Sequence, residues 1–242
     1  MNKQHQQNVV SKDERLLDLM AEQMKLPLIQ IARSAELAQM SKARKKSILN
    51  SIELTADSAL QLIDNYLLST KLIREQAYLH LEPVSVAAVL NETAHRLEKL
   101  ARQHDCELEL HLGGRYEPVM AHREGLEAAL TSLGYVFIES QSRLKHEKRP
   151  VLKMAAHRSN YGIVTGIFAD MEGLSTDMYR RARHIYGQAR QPLTQLSASS
   201  GAGVFVADSL LNSMSTHLRI AHHQKMTGLA ATFSPSHQLS MV

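Results

Sequence analysis

Thirteen histidines and one cysteine, Cys106, are the side chains of this 242-residue chain with the readiest nucleophilic or metal-binding chemistry. Imidazole can accept a phosphoryl group or ligate a transition metal. His222 and His223 sit at consecutive positions of an alternating stretch and must face opposite sides of a strand, which unsuits them to chelate one ion. His122, His146 and His184 are isolated among polar residues and read as solvated, and His5 lies in a Gln-rich tail. No Ser–His–Asp or Cys–His spacing suggests nucleophilic catalysis. A lone cysteine excludes an intramolecular disulfide and a thiolate zinc site, so no metal is expected. One phosphate-type signal remains. Ser199-Ser200-Gly201-Ala202-Gly203-Val204 precedes a helical pattern. Backbone amides at a helix N-terminus cradle phosphate, although glycines at such a junction also serve close packing. The basic run Arg180, Arg181, Arg183 and Arg190 could hold an anionic ligand or an acidic partner surface.

The elements that must position these residues follow from hydrophobic spacing. Leu17, Met20, Met24, Leu28, Ile31, Ala35 and Ala38 recur at three and four, the seam of a helix that packs on other helices. Pro27 interrupts that pattern and is expected to kink it. A basic turn, Ser41 to Lys46, leads to a second seam at Leu49, Ile52, Ala56, Ala59, Ile63, Tyr66, Thr70 and Ile73. Two long helices joined by a short turn are expected to be antiparallel neighbours. Their remaining apolar stripe suggests a second copy as partner, giving a dimeric four-helix bundle.

Leu81 to Ser85, with Pro83, breaks the helix. Beyond it the pattern predicts helices over about 86–104, 123–142 and 204–214. Strands are predicted over 106–112, 151–157, 163–168, 218–222 and 229–233. Several strands mixed with three helices, without regular alternation, indicate an α+β sandwich: helices on one face of a mostly antiparallel sheet. The segment from Met178 to Ser200 reads as long, irregular and basic.

Composition narrows the class. The chain has 44% apolar and 21% charged residues, 11 Met and no Trp, as expected of an ordinary helix-rich soluble protein. A net charge of +4 is too small and scattered to indicate nucleic acid. The longest uncharged apolar stretch, Ala128 to Ile138, falls short of the roughly 18–20 residues that span a bilayer, and the N-terminus has no signal-peptide core. The expectation is a cytoplasmic protein with neither membrane nor nucleic acid as partner.

In this order, a Pro-interrupted helix, a second helix ending Leu62-Ile63-Asp64-Asn65-Tyr66-Leu67-Leu68, the link Glu82-Pro83-Val84-Ser85 and a mixed helix–strand domain resemble the cytoplasmic core of a sensor histidine kinase. The resemblance runs from about Ser11 to Pro235. It implies a dimerisation and phosphoacceptor-like hairpin at 11–80 and an ATP-binding, catalytic-like α/β sandwich at 81–242.

The same resemblance shows where family chemistry has been replaced. The acceptor His lies five residues before the Pro, a position held here by Glu22. Its acidic neighbour is Gln23, which is not a usable base. The Thr or Asn four residues past the acceptor is Leu26. None of the histidines lies between Glu14 and Tyr78. In the helix that carries the family's Asn box, Ser132 and Val136 take the Asn positions, and Val has no oxygen for magnesium. Glu139 falls where a polar or basic residue would face phosphate. The Asp of the Asp-x-Gly-x-Gly turn aligns with Ala169 and its first Gly with Met171, leaving Asp170 one residue off and Gly173 in place. The second glycine box keeps Gly201 and Gly203.

The resemblance thus implies a degenerate, pseudokinase-like member with Ser132, Asp170, Gly173, Gly201 and Gly203 as vestigial nucleotide-binding positions. No catalytic residue and no cofactor is expected; ATP with magnesium is what an intact site would take. The expected role is a dimeric, non-catalytic regulator or scaffold of a two-component pathway. It would bind a response-regulator receiver domain or a partner kinase through Glu22, Lys25, Leu26, Pro27 and Ile29. The alternative is a histidine phosphotransfer protein, or an ATP-dependent histidine kinase, using a displaced acceptor.

Overall fold

The computed structural model describes residues 21, 24, 25, 27–40, 45–75, 79–143, 149–170 and 201–236. Residues 27–40 form helix α1, and Lys45–Arg74 form helix α2. These are the two helices of the expected hairpin. The basic turn falls largely outside the described residues, as does the segment from Met178 to Ser200. Strand β1 (Glu82–Val84) and helix α3 (Val86–Gln103) follow, then strands β2 (Glu107–Leu112) and β3 (Val119–Ala121). Helix α4 (Arg123–Arg143), strands β4 (Val151–Ser159) and β5 (Gly162–Ala169), helix α5 (Gly201–Ser213), and strands β6 (Arg219–His223) and β7 (Met226–Phe233) complete the chain.

The main sheet has five strands in the order β2-β4-β5-β7-β6. Only β2 and β4 pair in parallel; the other pairings are antiparallel, as the alternating stretches suggest. Leu108, Leu110 and Leu112 of β2, Leu152, Met154 and Ala156 of β4, Ile163 and Ile167 of β5, and Leu229, Ala231 and Phe233 of β7 share one face. Helices α3, α4 and α5 cover that face with Leu90, Leu97, Leu133, Phe137 and Leu210, all within the main core. This is the two-layer α+β sandwich expected. Burial of such side chains, at roughly 1.5–3 kcal/mol each, is its principal driving force.

Local chemistry sets the ends of the helices. Ser85 caps α3, its Oγ accepting from the Ala88 amide at 3.3 Å. Beyond α3, Asp105 adopts φ 49° while the Cys106 amide donates to Ala101 O at 2.8 Å, a left-handed stop. Ser215 (φ 59°) ends α5 the same way, with the Thr216 amide donating to Leu211 O. Helix α4 starts at His122, whose Nδ1 accepts from the Gly125 amide at 3.1 Å. This half-buried cap corrects the reading of His122 as solvated.

Two short strands were not foreseen. The link Glu82–Val84 pairs antiparallel with Val119–Ala121, so it acts as strand as well as breaker. Three-residue strands carry too little alternation to register as a pattern. The second seam also needs revision. Ala59 and Tyr66 are buried as expected, but Leu49 is 48% exposed. The buried face of α2 instead includes Asn65, Ser69 and Leu72, because it is turned toward α4 and α5.

Candidate functional site

Helices α2, α4 and α5 meet where the glycine run and the Asn-box positions converge. Three contacts seven residues apart on α2 set its course along α4. Ser58 hydrogen-bonds Tyr135, Asn65 reaches Ser132 and Ala128, and Leu72 lies against Gly125. Ascending α2 thus descends α4, so the two run antiparallel. The seven-residue repeat keeps one face of α2 on its neighbour for more than three turns. Gly125 belongs to this contact: a Cβ there would sit 3.0 Å from a Leu72 methyl.

Ser132 lies fully buried at the centre. Its Oγ accepts from Asn65 Nδ2 at 3.0 Å, and the same amide donates to Ala128 O at 3.3 Å. Asn65, itself 2% exposed, is held in turn by Gln61, whose Nε2 donates to Asn65 Oδ1 at 2.9 Å. A buried amide with these partners fixes the register of the two helices, since a shift would strand its donors and acceptor.

Gly203 closes the space from the other side. A Cβ at this position would lie 2.6 Å from Val136 Cγ2 and 3.2 Å from Ser132 O. The glycine is required because α5 approaches α4 closely here, which is the packing use of such residues. Gly201 is the first residue of α5. Ser132 and Val136, the residues expected at the Asn positions, are therefore covered by protein: one is bonded to α2, and both lie beneath α5.

Around this core runs a polar rim. Arg96 of α3 donates to Glu127 Oε1 of α4 at 2.6 Å and to Gln61 Oε1 of α2 at 3.3 Å, tying three helices. Gln103 Nε2 donates to Ser51 Oγ at 3.1 Å, a second α3–α2 tie. Burial is the main cause that raises the Tyr135 hydroxyl above its usual pKa, with the Ser58 hydrogen bond opposing it.

The remaining expected residues are dispersed. Asp170 is exposed just past β5, whereas Ala169, at the register of the family's Asp, is fully buried between Leu152 and Thr227. Gly173, Met171 and the arginine run lie outside the described residues, as do Glu22 and Leu26. Of the docking positions, Lys25 and Ile29 are exposed and Pro27 is half-buried. Ile29 is joined by exposed Leu28, Leu37 and Met40 on the same helix.

Cys106 is buried, and burial pushes its thiol up to about 11, which leaves it a poor nucleophile. Among the described residues, no three His, Cys, Asp or Glu are placed to hold a metal ion. No described helix is long and apolar enough to cross a membrane.

Sequence reasoning missed Asn65, Gln61 and Arg96. The only signal for Asn65 was an amide inside an otherwise apolar seam, between Ile63 and Tyr66. The same reasoning placed His223 on a strand but missed its meeting with His111 and His157, which lie on strands far apart in sequence.

No protein-family model matches this sequence, and no curated protein matches it. Solved structures do. The histidine kinase AdeS of Acinetobacter baumannii aligns over 87% of this chain and 95% of its own, at 16% identity and a TM-score of 0.50. Full-length ShkA in complex with AMPPNP aligns over 92% of this chain at 16% identity and a TM-score of 0.54. This chain covers 46% of ShkA, less than half its length. A bacterial phosphotransferase aligns over 90% of this chain and 94% of its own, at 11% identity and a TM-score of 0.48. The chain thus has the histidine-kinase-like fold, a helical hairpin followed by an ATPase-like α/β sandwich.

Proposed function

We propose that this protein is a degenerate, pseudokinase-like signalling protein of a two-component pathway. It acts in the cytoplasm as a dimeric, non-catalytic regulator that binds a response-regulator receiver domain or a partner kinase. The observation that carries this reading is the filled centre at Ser132. In the resembled family this helix face holds nucleotide and magnesium. Here the Ser132 hydroxyl bonds Asn65, Val136 offers only methyl groups, and Gly203 seats α5 directly on both. Shape is retained while oxygen ligands and space are not.

The docking surface in this reading is the region of Lys25, Pro27 and Ile29, with Glu22 and Leu26, which lie outside the described residues, as its neighbours in sequence. The second copy covers the exposed stripe of the hairpin. Titration calorimetry of the full chain against receiver domains from the same organism tests the proposal. Saturable binding that Ile29→Asp weakens by tenfold or more is the expected result. Absence of binding to every receiver domain and every histidine kinase of that organism overturns it. Acid-labile phosphate on this chain after incubation with labelled ATP, or with a phosphorylated receiver domain, would instead establish the phosphotransfer alternative.

A further inference from the structure

The face of the main sheet turned away from the helices carries a feature unrelated to the nucleotide-type site. One cross-strand row reads His111, Ala155, Gly166, Ala230 and Arg219. Its three central members are small, leaving a trough between the two edge strands. His223 lies at the tip of the β6–β7 hairpin, where Gln224 takes φ 55°. By register it belongs beside Met226, yet its ring lies 5.5 Å from His111, 5.5 Å from His157 and 5.3 Å from Phe168, centroid to centroid.

Sheet twist explains the meeting. A rotation of about 20–25° per strand, accumulated over four steps, carries diagonal corners of a sheet toward the same face. Gly166 and Gly228 permit the tight β5–β7 approach, since a Cβ at either would meet the neighbouring backbone at 2.3 Å or less. The hairpin tip thereby covers a second, small cluster of Ala155, Val164, Phe168 and Ala230, with Met226 packed against it.

Contacts at the closed corner are those of uncharged rings. His223 Nε2 lies 3.3 Å from His111 Nδ1, so one nitrogen donates while the other accepts. Gln224 Nε2 lies 3.2 Å from the same His111 nitrogen. Among the described residues, His157 Nδ1 is buried with no hydrogen-bond partner, and it could not carry a proton there without stranding a donor.

The surrounding charge is unfavourable to added protons. From β2 come Glu109 and His111, from β4 Lys153 and His157, from β6 Arg219, and from the turn Gln224 and Lys225. Phe168 of β5 and Met226 of β7 are neutral. Glu109 is the one carboxylate among these groups and is shared between Lys153 at 3.2 Å and His111 at 3.8 Å.

We propose that His111, His157 and His223 form a proton-operated latch that holds the tip of the β6–β7 hairpin against the outer face of the sheet and releases that tip on acidification. With the rings neutral, the corner is closed by ring packing and the His223–His111 hydrogen bond. His111 Nδ1 is the acceptor, since Gln224 Nε2 can only donate to it, and His223 Nε2 is the donor. Protonating the stacked His157–His223 pair places two cations in contact.

The pH window follows from the directions of titration. Burial first, then the Arg219 charge, lowers His157. Burial, then His157, His111 and Lys153, lowers His223. An unfolded or opened chain therefore takes up protons at a higher pH than the closed one. The closed state has its full stability above the ordinary histidine value of about 6.5 and loses it as pH falls from there through the lowered values.

Amide hydrogen exchange of the full chain at pH 7.5 and pH 5.5, corrected for intrinsic exchange, tests the latch. Protection of residues 221–227 is expected to fall by tenfold or more at the lower pH while β5 keeps its own. In His223→Gln, which keeps polarity but cannot charge, that pH-dependent difference should vanish. His157→Gln, which removes the other ring of the stacked pair, provides a second variant should the first not fold. Equal pH response of β5 and the hairpin in the wild type, or an unchanged hairpin response in the folded variants, overturns the proposal.

Discussion

At the scale of single residues, Asn65 is a polar anchor set among hydrophobic side chains. It lies in the buried face of α2, donates to Ser132 Oγ and Ala128 O, and accepts from Gln61. Replacing it with Ala leaves the Ser132 hydroxyl without its α2 partner inside the core, and Gln61 Nε2 without its acceptor, while the Ala128 carbonyl keeps its place in the α4 ladder. The cost of stranding such groups is about 1–3 kcal/mol. Asn65→Ala is therefore expected to lower the unfolding free energy by about that amount, read as a lower midpoint at unchanged slope in a urea titration. Gln61→Ala, which removes a half-buried donor nearer the rim, should cost less.

At the scale of elements, α2 serves two faces. One carries Asn65, Ser69 and Leu72 toward α4 and α5. On the other, Leu49, Leu60 and Leu67 are each about half exposed. Their spacings of eleven and seven residues return to nearly the same angle at about 3.6 residues per turn, so they form one stripe. A stripe of this kind on a long helix is what a bundle partner covers. Leu60→Glu combined with Leu67→Glu is expected to convert a dimer to monomer in analytical ultracentrifugation without loss of helical circular dichroism. A wild-type chain that sediments as a monomer would remove the dimer from the proposed function.

At the scale of the whole molecule, the proposed reading implies that kinase chemistry cannot be restored at one point. In that reading Glu22→His supplies an imidazole at the position aligned with the acceptor, but Val136 and Ala169, both buried and apolar, still stand at the positions aligned with an oxygen ligand and an adenine acceptor. That variant is expected to take up no label from ATP; labelled protein would show that the boxes are misaligned. The order of helices and strands, the hairpin and the α+β sandwich were legible in the sequence, because spacings of three and four or of two report which face of an element is apolar. Hidden were β1 and β3, the capping role of His122, the partner face of α2 and the histidine corner. Each depends on which element lies opposite, and periodicity along one segment carries no information about its neighbour. Residue types thus determined which side chains stand at the positions the resemblance assigns to nucleotide. Only the tertiary structure decided what lies against Ser132, an amide from α2 and a glycine of α5, because residues 67 and 71 positions apart in sequence become partners only through packing.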